Sequence, residues 1–282
     1  MISIITALYK SDRYLPGYFQ RLMPFVAELQ KRDIPFEVIF VPQLPTPLEK
    51  KILAEVSGQP WCRIFENSVP SLYAAWNRGV LEARGDVVGF WNADDWRYVD
   101  GTLEAYNLIK QGADVVYSPF RIRRYLQLLG RDFLVHIQSI DRQVPEFNEH
   151  TYPTFLYQMH CGPFFMFRQT LYDQVGPFDE QFKTVADFEW CVRAAKVTKK
   201  FVRAKQLIGS FRVDGRGVSA GGKPRHMAEN NIVYIRHGQV NNTKLWPETE
   251  EYMKAYDPKK IFFQGQSFEV DADGLLKEAM WK

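Results

Sequence analysis

Cysteine is scarce in this chain of 282 residues. Cys62, Cys161 and Cys191 are scattered, with no Cys-x-x-Cys spacing. That excludes a disulfide framework and a thiolate zinc site, and it reads as reduced thiols in a cytoplasmic protein. Long apolar runs are missing as well; none approaches the ~20 residues needed to cross a bilayer. The opening run Met1-Ile2-Ser3-Ile4-Ile5-Thr6 is strand-like from the start and lacks the basic region and cleavage site of a signal peptide. Any work at a membrane is therefore expected to be peripheral, at its inner face. Neither sign of charge dominates. With 36 basic against 33 acidic residues the net charge is +3, too little to argue for nucleic acid. No internal repeat and no low-complexity linker divides the chain.

What is present is a large apolar fraction, 46% of residues, enough for a sizeable core. The pattern over the first 91 residues alternates strands with helices. Strands are predicted at 2–8, 36–41, 62–65 and 86–91. Helices are predicted from Pro16 through Leu29, over 46–56, and over 70–83 with Gly85 as the stop. Such alternation means crossover units and a mainly parallel sheet, which binds ligands beyond the carboxyl ends of its strands. Further on, a helix is expected near 100–111 and a strand at 113–118, then an aromatic-rich stretch without clear pattern to about residue 160. Strand 161–168, helix 169–175, helix 185–196, strand-like 201–213, a glycine-rich loop 214–224 and helices at 226–237 and 247–256 complete the reading.

Asn92-Ala93-Asp94-Asp95 falls at the carboxyl end of the fourth strand. Two adjacent carboxylates after a buried strand are hard to satisfy without a cation or many donors. Hard oxygen ligands suit Mg²⁺ or Mn²⁺ bridging to a diphosphate, although Asp is also a common helix cap at such a place. The run Ser71 to Asp95 resembles the central signature of the family 2 glycosyltransferases of GT-A fold. In that family a helix with Ala-x-x-Asn-x-Gly leads through Ala-x-Gly-Asp into a strand ending in Asp-x-Asp. Ala74, Asn77, Gly79, Ala83, Gly85 and Asp86 stand at those places. The resemblance implies Asp95 as a metal contact, Asp94 as a contact to metal or donor ribose, and Asn92 and Asn77 within the nucleotide-sugar site.

A second block, Gly162 to Arg193, is similar to the family's acceptor-side segment. Val175-Gly176-Pro177-Phe178-Asp179-Glu180 fits its central phrase, and Asp187 falls where the family keeps its catalytic base. Thr184-x-x-Asp187 also reads as a capping box, a role compatible with the first. Thr6 and Tyr9 resemble the first-strand end that packs on the nucleotide base. Where the family usually has an acidic pair after the second strand, this chain has Pro42-Gln43, and the Gln43 amide can still bond a base edge. The loop 213–225, with Arg216, Lys223 and Arg225, reads either as a lid over the diphosphate or as a solvated loop. Trp76, Trp91 and Trp190 are expected in the core, Trp96 as a wall of the site, and His160 and His226 as structural.

The resemblance implies a GT-A domain over 1–240, with a nucleotide-sugar half to residue 118 and an acceptor half beyond, followed by a helical extension over 241–282. It implies metal-dependent inverting hexosyl transfer from a nucleoside-diphosphate sugar to a glycan or lipid-linked acceptor, as in polysaccharide biosynthesis. Two other readings remain open from the residues. One is a non-catalytic sugar-nucleotide binder on a degenerate scaffold. The other is a nucleotidyltransferase, against which stands the lack of a basic, Gly-rich phosphate loop in residues 7–14.

Overall fold

The computed structural model describes residues 1–141, 147–148, 151–217, 224–277 and 281. The first half follows the predicted alternation. β1 (Ile2–Leu8), α1 (Leu15–Lys31), β2 (Phe36–Pro42), α2 (Pro47–Val56), β3 (Cys62–Ile64), α3 (Leu72–Glu82) and β4 (Val87–Phe90) succeed one another. α2 starts with a capping box: the Thr46 side chain accepts from the backbone of Glu49, whose carboxylate returns the bond. Ser71 caps α3. That helix ends three residues before Gly85, which serves a different purpose: a Cβ there would lie 2.6 Å from the Ser3 hydroxyl and 2.7 Å from the Met1 carbonyl. Gly79 is needed likewise, because a Cβ at that position of α3 would collide with the Ile5 side chain of β1.

Next come β5 (Trp96–Arg97), α4 (Val99–Lys110), β6 (Val115–Tyr117), β7 (Phe120–Leu128), β8 (Arg131–Ile140), α5 (Tyr152–Phe155), β9 (Met166–Arg168), α6 (Gln169–Val175), α7 (Ala186–Val197), β10 (Phe201–Arg203), β11 (Gly209–Val213), α8 (Pro224–Arg236), α9 (Pro247–Met253), β12 (Lys260–Phe263) and β13 (Gln266–Glu269). The main sheet has the order β10-β6-β9-β4-β1-β2-β3, parallel except for β9, which runs antiparallel to both neighbours. β4 is buried along its whole length, as a strand covered on both faces must be. A second sheet, β5-β11-β7-β8, stands beside it.

The structure departs from the sequence reading in three places. The stretch read as patternless holds the long β7–β8 hairpin, hidden because alternation breaks at the adjacent Arg123-Arg124 and at the unbroken run Phe133-Leu134-Val135. The run 201–213 is two strands in different sheets. The C-terminal extension, expected to be helical, carries the β12–β13 hairpin as well as α9.

A fully buried ionic network joins α7 and α8 to the segment 175–180. Glu189 pairs with Arg193 at 2.8 Å and with Arg236 at 3.0 Å, and Arg236 pairs with Asp179 at 2.8 Å. Arg193 also donates to the carbonyls of Val175 (2.5 Å) and Pro177 (2.7 Å). Removing one member leaves an uncompensated buried charge. Glu189→Gln should therefore lower unfolding free energy by about 3–5 kcal/mol in a urea titration. Removing the exposed Arg203–Asp141 pair should cost under ~1 kcal/mol.

Candidate active site

The chain turns at the end of β4. Trp91 stays in register by donating to the Ile5 carbonyl at 2.9 Å, and the Asp95 amide then donates to the Asn92 carbonyl at 3.1 Å. The turn delivers Asp94 partly buried and Asp95 fully buried. Asp95 Oδ1 accepts from the Arg212 amide of β11 at 2.9 Å, and its Oδ2 lies 3.4 Å from the Asn92 amide. Burial, and after it the Asp94 charge, pushes Asp95 well above the usual carboxylate range. Asp94 is raised by burial and by the charge of Asp214.

The surrounding cations are committed elsewhere. Arg21 donates to the Ala93 carbonyl at 2.9 Å and lies over the Trp96 ring at 4.5 Å. Arg212 pairs with Asp214 at 3.0 Å and with Asp132 at 2.5 Å, and stacks on Tyr125 at 4.0 Å. Tyr14 donates to Asp214 at 2.8 Å, and burial pushes its hydroxyl up to about 12, so it stays a donor. Among the described residues no three His, Cys, Asp or Glu side chains converge to hold a metal ion. The adjacent carboxylates nevertheless fit a hard cation. They lack an ion-pair partner among the described residues and disfavour each other's charge. Mg²⁺-type sites use one or two carboxylates and complete themselves with substrate phosphates and water.

The other half of the site is a cavity of about 460 Å³. Asn92 and Asp187 both line it, with Tyr73, Trp76, Phe188 and Phe211 among its walls. Asp187 stands in the first turn of α7. Its Oδ1 accepts from the Tyr73 hydroxyl at 3.1 Å and from the Phe188 amide at 2.9 Å. Burial pushes its carboxyl up to about 6 against those two bonds. The Thr184-x-x-Asp187 capping box does not form. Thr184 instead donates its hydroxyl (2.6 Å) and amide (2.8 Å) to Glu229 of α8, and Glu229 also accepts from the Lys183 amide (2.9 Å) and the Tyr256 hydroxyl (2.7 Å). α8 thus anchors the approach to Asp187.

The remaining expected site residues are placed as follows. Tyr9 is 44% exposed at the end of β1. Gln43 is buried beside Asn67, and its Oε1 has no hydrogen-bond partner among the described residues. Thr6 is in the core, its hydroxyl bonded to Tyr18 at 2.7 Å. The Asn77 amide is saturated within the protein: it donates to the Phe178 carbonyl and Glu180 and accepts from the Tyr172 hydroxyl and the Phe178 amide. Its place in the motif therefore ties α3 to the segment 178–180 and leaves no group for a ligand. The guanidiniums of Arg21 and Arg123 lie 4.5 and 4.6 Å from the Trp96 ring, which is not among the residues that line the cavity. His226 lines the cavity and bonds Thr184 at 2.9 Å. In the loop 213–225, Arg216 bonds Asp214 and Gln127, while Lys223 lies outside the described residues. Sequence reasoning missed Tyr73, Arg21 and Glu229. Arg21 alone left a signal, a cation among the apolar residues of α1.

The Glycosyl transferase family 2 profile matches residues 3–176. Solved structures agree on the fold. TarS 1–349 of S. aureus in complex with UDP-GlcNAc is 19% identical over 90% of this chain and 72% of that one, with a TM-score of 0.61. A further structure of S. aureus TarS gives 18%, 90%, 43% and 0.57. The mannosyltransferase PcManGT from Pyrobaculum calidifontis, in complex with GDP-Man and Mn²⁺, gives 14%, 90%, 68% and 0.57. No curated protein sequence matches the chain. The doubly covered parallel sheet with a site at its carboxyl edge is the GT-A fold of a glycosyltransferase. The chain belongs to glycosyl transferase family 2, and it is a transferase enzyme.

Removing one of two buried like charges relieves repulsion. Asp95→Asn should raise Tm at pH 8 without divalent ions, by about 2–4 °C for each kcal/mol relieved. Added Mn²⁺ should raise the Tm of the wild type and leave that of the variant unchanged; differential scanning calorimetry reads both.

Proposed function

We propose that this enzyme moves a sugar from a nucleoside-diphosphate sugar to a hydroxyl acceptor, with inversion at the anomeric carbon and with Mn²⁺ or Mg²⁺ held by Asp94 and Asp95. The observation that carries the reading is Asp187, a carboxylate raised to about 6 in a cavity whose wall also includes Asn92, the partner of Asp95. Among the described residues, the Tyr73 hydroxyl and the Phe188 amide both bond Asp187 at Oδ1. Oδ2 is left to take the proton of an acceptor hydroxyl, and its raised basicity favours that transfer. Tyr73 and the Phe188 amide hold the carboxylate still, and Glu229 holds the chain before it. The acceptor oxygen then attacks the sugar from the face opposite the leaving group. When bound, the cation would neutralise charge on the departing diphosphate. One base suffices, unlike the paired carboxyls of glycoside hydrolysis.

The orphaned Gln43 Oε1 supports a contact to an amino group on the nucleotide base, with the exposed Tyr9 ring as a stacking surface. Aromatic walls such as Tyr73, Trp76 and Phe188 suit the faces of an acceptor glycan. UDP-GlcNAc and GDP-Man in the related structures support a nucleotide-sugar donor, and the Mn²⁺ of the mannosyltransferase supports a cation. No helix among the described residues is long and apolar enough to cross a membrane.

Two outcomes test the reading. Release of nucleoside diphosphate from a donor with Mn²⁺ should fall about 10²–10⁴-fold in Asp187→Asn, and its kcat/KM should decline below pH ~6, where the base is protonated. Donor binding without release under any acceptor would instead indicate a non-catalytic binder. Stability should move the other way. The folded pKa lies above the ordinary value near 4, so ionisation penalises the fold; the penalty is absent below pH ~4 and complete above pH ~6. Asp187→Asn should therefore raise Tm at pH 8 and leave it unchanged at pH 4. A merely structural cap would lose stability and keep activity.

A further inference from the structure

The β7–β8 hairpin presents an unusual surface to water. Leu126, Leu128, Leu129, Phe133, Leu134, Val135 and Ile137 are 44–93% exposed, with Leu129 at the upper limit. Register assigns them to both faces. Leu126 opposes Phe133 and Leu128 opposes Arg131 on the face that continues from Ile122, while Leu134 opposes Tyr125 on the other. The turn adds a second anomaly. Leu129 (φ +49°) and Gly130 (φ +76°) are both left-handed, the geometry of a two-residue turn that favours Asn-Gly. A leucine at the first position is strained there and gains nothing from packing. Charge is one-sided. Across 120–140 the sequence holds Arg121, Arg123, Arg124 and Arg131 against a single acid, Asp132, which Arg13 and Arg212 neutralise.

We propose that this hairpin is a foot that docks the protein on a bilayer rich in anionic lipid and holds the Asp187 cavity over acceptors anchored in that bilayer. The second half rests on the acceptor reading above; the docking does not. A bilayer surface fits better than a protein partner. A second copy pairing along β8 would cover its backbone edge but leave both apolar faces and Leu129 in water. The headgroup–acyl boundary covers the whole circumference of the tip, and exposed arginines meet the lipid phosphates. Insertion is shallow, because the unpaired backbone edge of β8 is not tolerated in hydrocarbon. Ile122 of β7 and Phe211 of β11 line the cavity and share the face that bears Leu126 and Leu128. Six residues separate Ile122 from Leu128, or about 20 Å of strand. The acceptor class is therefore a lipid whose headgroup, a phosphate and several sugars, reaches about 20 Å from the membrane.

Flotation of the full chain with vesicles of phosphatidylcholine, with and without phosphatidylglycerol, tests the docking. The wild type should float with the anionic vesicles and far less with the neutral ones. Leu128→Glu with Leu129→Glu should lower partitioning about a hundredfold, and Arg124→Ala about fivefold. Leu245→Glu with Trp246→Glu, an exposed apolar pair elsewhere, should bind as the wild type does. Absence of wild-type flotation, equal flotation of the leucine double variant, or a wild-type dimer in light scattering that this variant splits without any vesicle binding would overturn the proposal. Donor hydrolysis in vesicle-free solution should be unchanged in the leucine variant. If no form hydrolyses donor, the transferase reading fails while the flotation result stands.

Discussion

Asp94 and Asp95 lie side by side at the carboxyl end of β4, and burial makes their charge costly. The parallel sheet imposes that cost, because its strands end where two covering layers part and where crossover connections leave room for a ligand. Under the proposed reading, a bound cation would relieve that repulsion. Arg21 and Arg212 lie close by but are engaged by Ala93, Trp96, Asp132, Asp214 and Tyr125, so neither collapses onto the acid pair.

The base side follows a similar logic with a different device. Asp187 is held in a first helical turn by its neighbour's amide and by Tyr73. The segment leading into that turn is gripped by Glu229 from a helix more than forty residues further along. Asn77 and the buried Glu189–Arg193–Arg236–Asp179 network fasten the same segment to α3 and to the C-terminal hairpin. Motif residues such as Asn77, Asp179 and Glu180 thus fasten the segment that precedes Asp187.

Much of this was legible in the sequence. The alternation through residue 91 follows from helical and strand periodicities that local side chains enforce, and Gly79 and Gly85 lie where backbones approach too closely for a Cβ. The carboxylate pair was legible because adjacency along the chain guarantees adjacency in space. The β7–β8 hairpin was not, because Arg123 and Arg124 stand side by side and break the alternation of β7, and the turn uses Leu129-Gly130 in place of a polar pair. Thr6 and Asn77 were read as ligand contacts from their positions, yet their polar atoms are spent on Tyr18 and on residues 172–180.

By itself the sequence determined the mainly parallel sheet and the place of Asp94 and Asp95 at its edge, since each depends on periodicity or on neighbours within a few residues; the candidacy of Asp187 came from the resemblance of residues 162–193 to the family's acceptor-side segment. Only the tertiary structure decided that Asn92 and Asp187, ninety-five positions apart, share one cavity, that Tyr73 bonds Asp187 while Glu229 grips residues 183–184 before it, and that an apolar hairpin extends from the sheet whose face lines that cavity. Those relations depend on loop paths and side-chain burial between distant segments, and no local pattern encodes the free energy of burying one segment against another.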